Sequence, residues 1–216
     1  MQNRRNYQRE LEAVIAGLNG RRPTLLLHSC CAPCSSYVLE YLTRYFQITL
    51  FYYNPNISPE PEYRYRVSEL RRLVAEMLPG SDVTVVEGRY DPERFEAAVA
   101  GLEEEPEGGR RCMVCYRLRL EEAAKMAREL GCDYFTTTLT ISPMKNAQAL
   151  NQIGEQLAPL YETAYLPSDF KKKEGYKRSI QLSREFALYR QDYCGCVYSR
   201  RAREGQAESA TPGPRT

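Results

Sequence analysis

Short apolar segments alternate along the chain with segments whose apolar residues recur every three or four positions. The first pattern is typical of buried strands and the second of a helix with one buried face. Glycine, proline and asparagine separate the two patterns at several boundaries, as at Pro79-Gly80. Five strands are predicted, near residues 24–28, 48–53, 83–86, 133–139 and 163–166. Helices are predicted near 38–45, 63–77, 95–102, 120–130, 150–157 and 182–193.

This alternation predicts one α/β domain, a parallel sheet with helices on both faces. We expect an N-terminal helical extension over 1–23, a metal-binding catalytic domain over 24–199 and a disordered polar tail over 200–216. Ligands of such sheets bind at the carboxyl ends of the strands. Cys30, Cys31 and Cys34 directly follow the first predicted strand, so the chemistry is expected there.

Composition narrows the function classes. The 216 residues carry a formal charge of +2, so any nucleic-acid binding must come from local basic patches. The only histidine, His28, excludes Cys2His2 fingers and two-histidine metal sites, and its predicted strand makes it a core residue. The N-terminal segment lacks the apolar stretch of a signal peptide, and the apolar runs are too short to span a bilayer. We therefore expect a cytoplasmic protein without membrane contact, in a compartment where structural disulfides are rare.

Cysteine is the unusual feature, because seven of the eight residues fall into three close groups at element boundaries. Cys132 stands alone and is interpreted as a small packing residue. Zinc and iron–sulfur centres both accept four thiolates. Seven thiols exceed the four that structural zinc needs, and they are spread over an α/β core, which favours iron. The groups are Cys30/Cys31/Cys34, Cys112/Cys115 and Cys194/Cys196.

Two basic clusters are present, one over residues 171–178 and one over 110–119. They are interpreted either as solvated faces or as contacts to RNA phosphates, which would make binding salt-dependent.

Several motifs together resemble one family, the cobalamin-independent epoxyqueuosine reductases or QueH family. The similarity covers about residues 24–199, and the combination of motifs is far more specific than a C-x-x-C alone. The motifs are His28-Ser-Cys-Cys-Ala-Pro-Cys34, Tyr53-Asn-Pro-Asn-Ile57, Cys112-Met-Val-Cys-Tyr-Arg-Leu-Arg119, Thr137-Thr-Leu139 with Ser142-Pro143, Asp169-Phe-Lys-Lys172 and Tyr189-Arg-Gln-Asp-Tyr-Cys-Gly-Cys196.

The resemblance implies a Rossmann-like, five-stranded fold of the adenine-nucleotide alpha-hydrolase group. It also implies the last step of queuosine synthesis in tRNA, in which the epoxide oxygen of epoxyqueuosine at the wobble position is removed by two electrons and two protons. A [4Fe-4S] cluster is expected, with a second, mononuclear iron as an option and no cobalamin. The expected partners are the tRNA and a low-potential electron donor of ferredoxin or flavodoxin type.

By resemblance, Cys30, Cys31, Cys112 and Cys115 are expected to ligate the cluster. Cys194 and Cys196 then form a redox-active disulfide pair, or bind a second iron with Cys34, a position where some family members have aspartate. A competing assignment gives the cluster one ligand from Cys30/Cys31 and one from Cys194/Cys196.

For the remaining site, Tyr193 or Asp169 is expected to protonate the departing oxygen. Substrate contacts are expected from Lys171, Lys172, Arg119 and Tyr53.

Three other functions are open at this point. The main alternative is a zinc-stabilised tRNA-binding module without redox catalysis. An ATP-dependent tRNA-modifying enzyme is disfavoured, because Ser29-Cys30-Cys31-Ala32 lacks glycines to cradle a phosphate. A general disulfide oxidoreductase explains one C-x-x-C but not seven thiols.

Overall fold

Five parallel strands form the centre of the molecule, in the order β3-β2-β1-β4-β5. The computed structural model describes residues 5–210, with side chains to residue 205. The strands are β1 (Thr24–Ser29), β2 (Gln47–Tyr52), β3 (Thr84–Glu87), β4 (Tyr134–Thr137) and β5 (Ala164–Tyr165). The predicted five-stranded parallel sheet is confirmed, since each strand falls within a residue or two of a predicted apolar segment.

Eight helices are described, and they lie on both faces of this sheet as predicted. They are α1 (Tyr7–Gly17), α2 (Ala32–Leu42), α3 (Glu60–Met77), α4 (Pro92–Ala98), α5 (Arg110–Glu129), α6 (Ala147–Tyr161), α7 (Gly175–Glu185) and α8 (Val197–Ala210). A short 3-10 helix, Thr138–Ile141, follows β4 directly.

The apolar residues of β1 show how the strand alternation builds two cores. Leu25 and Leu27 face one side, in the core that includes residues of α1, α2 and α3. Leu26 faces the other side, with the apolar residues of α5 and α6. Because successive side chains of a strand point to opposite faces, a fully apolar strand such as Leu25–Leu27 requires helices on both sides. All three leucines are fully buried.

The chain order reverses at β1, because β2 and β3 lie on one side of it and β4 and β5 on the other. The connections that follow β1 and β4 therefore leave the sheet in opposite directions. In this class of sheet, a ligand cavity forms between the carboxyl ends of two such neighbouring strands. The thiols after β1 and the 3-10 helix after β4 lie at this point. The expected position of the site is thus the one the topology favours.

One helix predicted near the C-terminal end is wrong. The helix predicted over 182–193 ends at Glu185, because Ala187 adopts a left-handed conformation (φ +47°) that turns the chain before the cysteines. The predicted tail over 200–216 overlaps α8, which extends to Ala210. Tyr198 and Ser199, in the first turn of this helix, pack near the cysteine groups. Residues 211–216 lie outside the described residues.

Candidate metal centre

The first thiol group forms a close triad between β1 and α2. The Sγ atoms of Cys30, Cys31 and Cys34 all lie within 4.8 Å of one another, and those of Cys30 and Cys31 are 3.7 Å apart. Cys31 is the N-cap of α2 and has extended backbone, so the chain turns sharply between strand and helix. A hydrogen bond of 2.7 Å between the hydroxyls of Ser29 and Ser35 stabilises this turn.

The triad has the dimensions of a single-ion site. Metal–sulfur bonds of about 2.3 Å in tetrahedral geometry place thiolate sulfurs about 3.8 Å apart. The Cys30–Cys31 separation of 3.7 Å matches this spacing. The helix N-terminus behind the thiols also favours negative charge at this position.

Charge within the triad concentrates on Cys31. Hydrogen bonds from Cys30 and Cys34, with a smaller contribution from Gln191, hold the pKa of the Cys31 thiol well below its usual value. The hydrogen bond with Cys31 raises the pKa of Cys30 to about 12, and contacts with both neighbours raise the pKa of Cys34. Cys31 is therefore the strongest acid of the three thiols.

The second thiol group combines the other two cysteine pairs. Cys112 and Cys115 lie in the first two turns of α5, and Cys194 and Cys196 lie in the loop before α8. All four line one narrow cavity. Gly195, between the two C-terminal cysteines, has φ +118°, and a Cβ there would press into Ile57 at 2.8 Å. Only glycine lets this loop turn so tightly against the core.

A larger cavity of about 250 Å³ adjoins the narrow one and opens toward solvent. Cys30, Cys34 and Cys194 contribute to its wall, and Tyr193, Arg190 and Met144 are among the other lining residues. Both cavities share four residues, which are Glu107, Arg119, Lys145 and Cys194. The structure thus brings thiols that are distant in sequence together around two adjoining cavities.

Buried cations separate and flank the two thiol groups. Arg119 is 2% exposed and donates to the Cys115 carbonyl (3.2 Å) and to Asn54 Oδ1 (3.4 Å), with no carboxylate partner among the described residues. Lys145 Nζ lies 3.2 Å from Cys194 Sγ and 3.0 Å from Glu107 Oε1. Burial opposes the charge of Lys145, but the Cys194 thiol, Tyr116 and Glu107 outweigh it and raise its pKa.

Arg66 adds a third buried charge at the larger cavity. Its Nε pairs with Glu62 at 2.7 Å, and its Nη1 donates to the Cys194 carbonyl at 3.3 Å. Buried charges are stable only with compensating groups. The surroundings of the thiols hold more cationic groups than carboxylates, so they suit an anionic occupant such as a thiolate-bound metal centre. The donor set of seven thiols and the charge balance both fit an iron–sulfur cofactor.

The expected proton donors occupy different environments. Tyr193 lines the larger cavity, and its hydroxyl donates to the Ser58 carbonyl at 3.3 Å. Burial, and next the nearby Glu62, raise the pKa of Tyr193. Asp169 is not among the residues that line the cavity and instead pairs with Lys171 at 2.6 Å.

The expected substrate contacts are placed less favourably. Tyr53 is 2% exposed, stacks on Phe51 and accepts from Arg94 through its hydroxyl, so the structure puts it in the core and not in the cavity wall. Arg119 faces the thiols from inside, where it has no access to an RNA backbone. Lys171 and Lys172 lie outside the cavity lining. Four of the five cations in the cluster over 171–178, and one of the four in the cluster over 110–119, form ion pairs with carboxylates of this chain's described residues. These carboxylates include Glu12 for Lys173, Glu174 for Lys177, Glu40 for Arg178 and Glu105 for Arg110.

Three residues of the site were not singled out by the sequence. Lys145 and Arg66 each carry a buried charge to the cavities, and Asn56 lines the narrow one. Asn56 belongs to the Tyr53–Ile57 motif and Lys145 follows Ser142-Pro143, so both were close to recognised motifs without an assigned role. Arg66 lies in α3, whose sequence is typical of a surface helix, and nothing in the neighbouring sequence distinguishes it from the other arginines of that helix.

Cys132 and His28 take the structural positions expected of them. Cys132 packs at the edge of the core on the α5 and α6 face. His28 is fully buried, and burial lowers its pKa to about 3. All eight cysteines lie within the described residues, and all are free thiols, including Cys194 and Cys196.

The fold and site define a class of protein, a Rossmann-like parallel α/β protein with a thiol-rich centre at the switch point of its sheet. A profile of the family described as epoxyqueuosine reductase QueH matches residues 25–202. The chain belongs to this family.

Curated relatives named epoxyqueuosine reductase QueH support the assignment. The protein of Streptococcus pyogenes is 48% identical over 198 residues, which cover 90% of this chain and 78% of the relative. The Staphylococcus epidermidis protein is 46% identical over 200 residues, covering 90% and 84%. The Thermotoga maritima protein is 36% identical over 182 residues, covering 82% and 90%. Within residues 5–210, no helix is long and apolar enough to cross a bilayer.

Proposed function

We propose that this protein is an epoxyqueuosine reductase, an oxidoreductase that acts on tRNA in queuosine biosynthesis. The reaction takes the epoxide of epoxyqueuosine, two electrons and two protons to the cyclopentene of queuosine and one water. The observation that carries the proposal is the convergence of seven thiols in a member of this family, six of which line two joined cavities while Cys31 completes the triad beside them. A pocket for a modified base and a site for a redox metal centre are then adjacent.

The cofactor we propose is a [4Fe-4S] cluster, with a single iron beside it. Two ligand sets are chemically possible. In the first, which the resemblance implies, Cys30, Cys31, Cys112 and Cys115 hold the cluster. In the second, the cluster takes Cys112, Cys115, Cys194 and Cys196, which line one cavity, and the triad holds the single iron. We favour the second set, because the 3.7 Å between the Cys30 and Cys31 sulfurs suits two ligands of one ion.

Bound there, an iron–sulfur centre supplies electrons at low potential, and a single iron supplies a Lewis acid. The chain supplies the rest. Tyr193 lines the larger cavity, and a phenol is protonated at neutral pH, so its hydroxyl can deliver a proton to the departing oxygen. Asp169, the other expected donor, lies outside the cavity lining and would have to act from a distance. The buried walls limit access of water to the reacting atoms.

The wobble base is proposed to enter the larger cavity from its open side. A base of a folded tRNA must leave its stack to reach a buried centre. Met144, which is 70% exposed, stands at this opening, and Arg190 lines it with a basic side chain. Arg190 donates to Ser183 at 3.1 Å and forms no ion pair among the described residues, so its charge is open to a phosphate. A low-potential donor of ferredoxin or flavodoxin type and a cytoplasmic location remain part of this proposal.

The decisive experiment is anaerobic reconstitution with iron and sulfide, followed by assay on tRNA that contains epoxyqueuosine with a strong reductant. Loss of one oxygen from the modified nucleoside, measured by mass spectrometry, is the expected result. Cys112→Ser should lose both the cluster absorption and turnover, whereas Cys132→Ser, at the edge of the core, should keep both. Turnover without iron, or a protein that binds only zinc and has no reductase activity, would contradict the proposal.

Cys196→Ser separates the two ligand sets. With Cys196 as a cluster ligand, the variant binds fewer iron and sulfide atoms per chain than the wild type. With Cys30, Cys31, Cys112 and Cys115 as ligands, the stoichiometry of the cluster stays at the wild-type value. Iron and acid-labile sulfide analysis measures this directly, without reference to turnover.

A further inference from the structure

The narrow cavity contains buried polar atoms that have no hydrogen-bond partner. They are both side-chain amide atoms of Asn56, the hydroxyl of Tyr116, Nη2 of Arg119 and Nε of Arg111. Asn56, Tyr116 and Arg119 are the most deeply buried of these side chains, at 1–2% exposed. Buried polar groups of folded proteins are nearly always paired, so several unpaired atoms around one cavity indicate a missing partner.

The spacing of α5 brings two of these groups to the thiols. Cys112, Cys115, Tyr116 and Arg119 stand at positions i, i+3, i+4 and i+7, which share one face of a helix. Two thiols and two unpaired donors therefore line the same wall of the cavity.

Asn56 approaches from the loop after β2, and its neighbour provides a contrast. Asn54 is also buried, but its amide donates to the Ser29 carbonyl at 2.8 Å and its oxygen accepts from Arg119. Asn54 is thus used by the fold, whereas the Asn56 amide has no such use among the described residues. This motif was recognised in the sequence without a role for its second asparagine.

We infer that Asn56, Tyr116 and Arg119 donate hydrogen bonds to the sulfur atoms of an anionic centre bound between Cys112, Cys115, Cys194 and Cys196, and that they raise its reduction potential. This rests on the proposed function, because it requires a cluster in the narrow cavity. All three side chains offer N–H or O–H donors, and sulfur of a cluster is an acceptor. The reduced cluster carries one more negative charge, so the donors stabilise it more than the oxidised form.

Tyr116→Phe is the sharpest test, since it removes one oxygen and leaves the ring that packs in the core. The variant should bind the same amount of iron and sulfide as the wild type. At a fixed solution potential, its ratio of reduced to oxidised cluster should fall about tenfold, as loss of one hydrogen bond to a charged group implies. For a one-electron couple this is a shift of ~59 mV to more negative potential. An anaerobic redox titration followed by electron paramagnetic resonance measures it.

Tyr165→Phe is the matched control, because Tyr165 is also a buried tyrosine with an unpartnered hydroxyl but lines neither cavity. Its cluster should titrate as in the wild type. Asn56→Ala should shift in the same direction as Tyr116→Phe, and Asn56→Gln, which keeps an amide donor, should recover part of the shift.

The outcomes separate the two proposals. A wild type that assembles no iron–sulfur cluster refutes the cofactor of the proposed function. A wild type with a cluster whose potential is unchanged in both Tyr116→Phe and Asn56→Ala refutes the present inference alone. An equal shift in Tyr165→Phe would also refute it, because the effect would then not depend on the cavity.

Discussion

His28 gives a quantitative prediction about how the stability of the fold beneath the site depends on pH. The residue is the second-last of β1, lies two positions before Cys30 and is fully buried. Its Nε2 lies 3.0 Å from the Tyr53 carbonyl, so this nitrogen carries the proton and donates. Its Nδ1 accepts from the Thr137 hydroxyl at 2.9 Å, which itself accepts from the Leu139 amide at 3.1 Å. A protonated ring would lose this arrangement, since both of its nitrogens donate.

The magnitude follows from the pKa difference between the folded and unfolded chain. Burial, aided by the charge of Arg119, lowers the pKa of His28 to about 3, whereas an unfolded histidine titrates near ~6.5. The folded pKa is depressed, so the contribution of His28 is fully present above pH ~6.5 and is lost as the pH falls toward 3. At ~1.36 kcal/mol per unit, about 2 kcal/mol of stability is lost between pH 7 and pH 5.

The measurement is urea unfolding of the metal-free protein at pH 7, 6 and 5, for the wild type and for His28→Gln. Glutamine can keep a donor to the Tyr53 carbonyl but does not titrate. The variant is expected to be less stable at pH 7 and to lose about 2 kcal/mol less than the wild type on going to pH 5. His28 is the only histidine, so no other imidazole contributes to the difference. Parallel pH dependences of the two proteins would refute the reasoning.

Three further substitutions test other parts of the structure. Lys145→Met removes the cation that contacts Cys194 Sγ and Glu107. Because a charge-assisted hydrogen bond is worth about 1.5–3 kcal/mol, a chelator should extract iron from this variant at least tenfold faster than from the wild type. Lys145→Arg keeps the charge and should approach the wild-type rate. Met144→Ala removes an exposed apolar side chain from the cavity opening. The KM for tRNA should rise about tenfold, with unchanged thermal stability. An unchanged KM would argue against a contact between Met144 and the tRNA. Gly154→Ala places a Cβ inside the Tyr165 ring, which should lower the free energy of unfolding by about 1–3 kcal/mol in urea titrations. A variant as stable as the wild type would show that the ring can move aside at little cost.

The sheet could be predicted from the sequence because its signals are local. The apolar run Leu25–Leu27 predicts a buried strand even when its neighbouring strands are unknown. Asp91 and Pro92 predict the start of α4, and the Asp91 side chain accepts a hydrogen bond from the Arg94 amide there. The end of α7 was not predictable in this way. Its apolar spacing continues past Glu185, and the chain turns at Ala187, where Arg72 donates to the carbonyls of Phe186 and Ala187 from α3. That contact joins residues more than a hundred positions apart.

The same distinction separates the thiols from the charges around them. A cysteine points to metal binding or redox chemistry by its residue type alone. Three groups of cysteines at element boundaries therefore predicted a common site before any contact was known. Arginine and lysine are not, because most of them lie on surfaces. The sequence placed Arg119 on a basic patch for phosphates, yet its helix turns it inward to the Cys115 carbonyl and Asn54. Only the packing of α5 against the sheet decides between these two positions, and a helix with charges on several faces does not reveal it.

Arg119 and Lys145 also explain why four thiols and a buried guanidinium occur in one small space. A guanidinium removed from water without a carboxylate destabilises a fold, and unionised thiols do not compensate it. The thiolates of a bound metal centre do, and the centre in turn is more stable beside two cations than in an apolar cavity. Each group makes the burial of the other possible. The charges that look unfavourable in the metal-free chain are therefore expected to become favourable once the centre is assembled, so that metal binding and the final packing of the site form one coupled step.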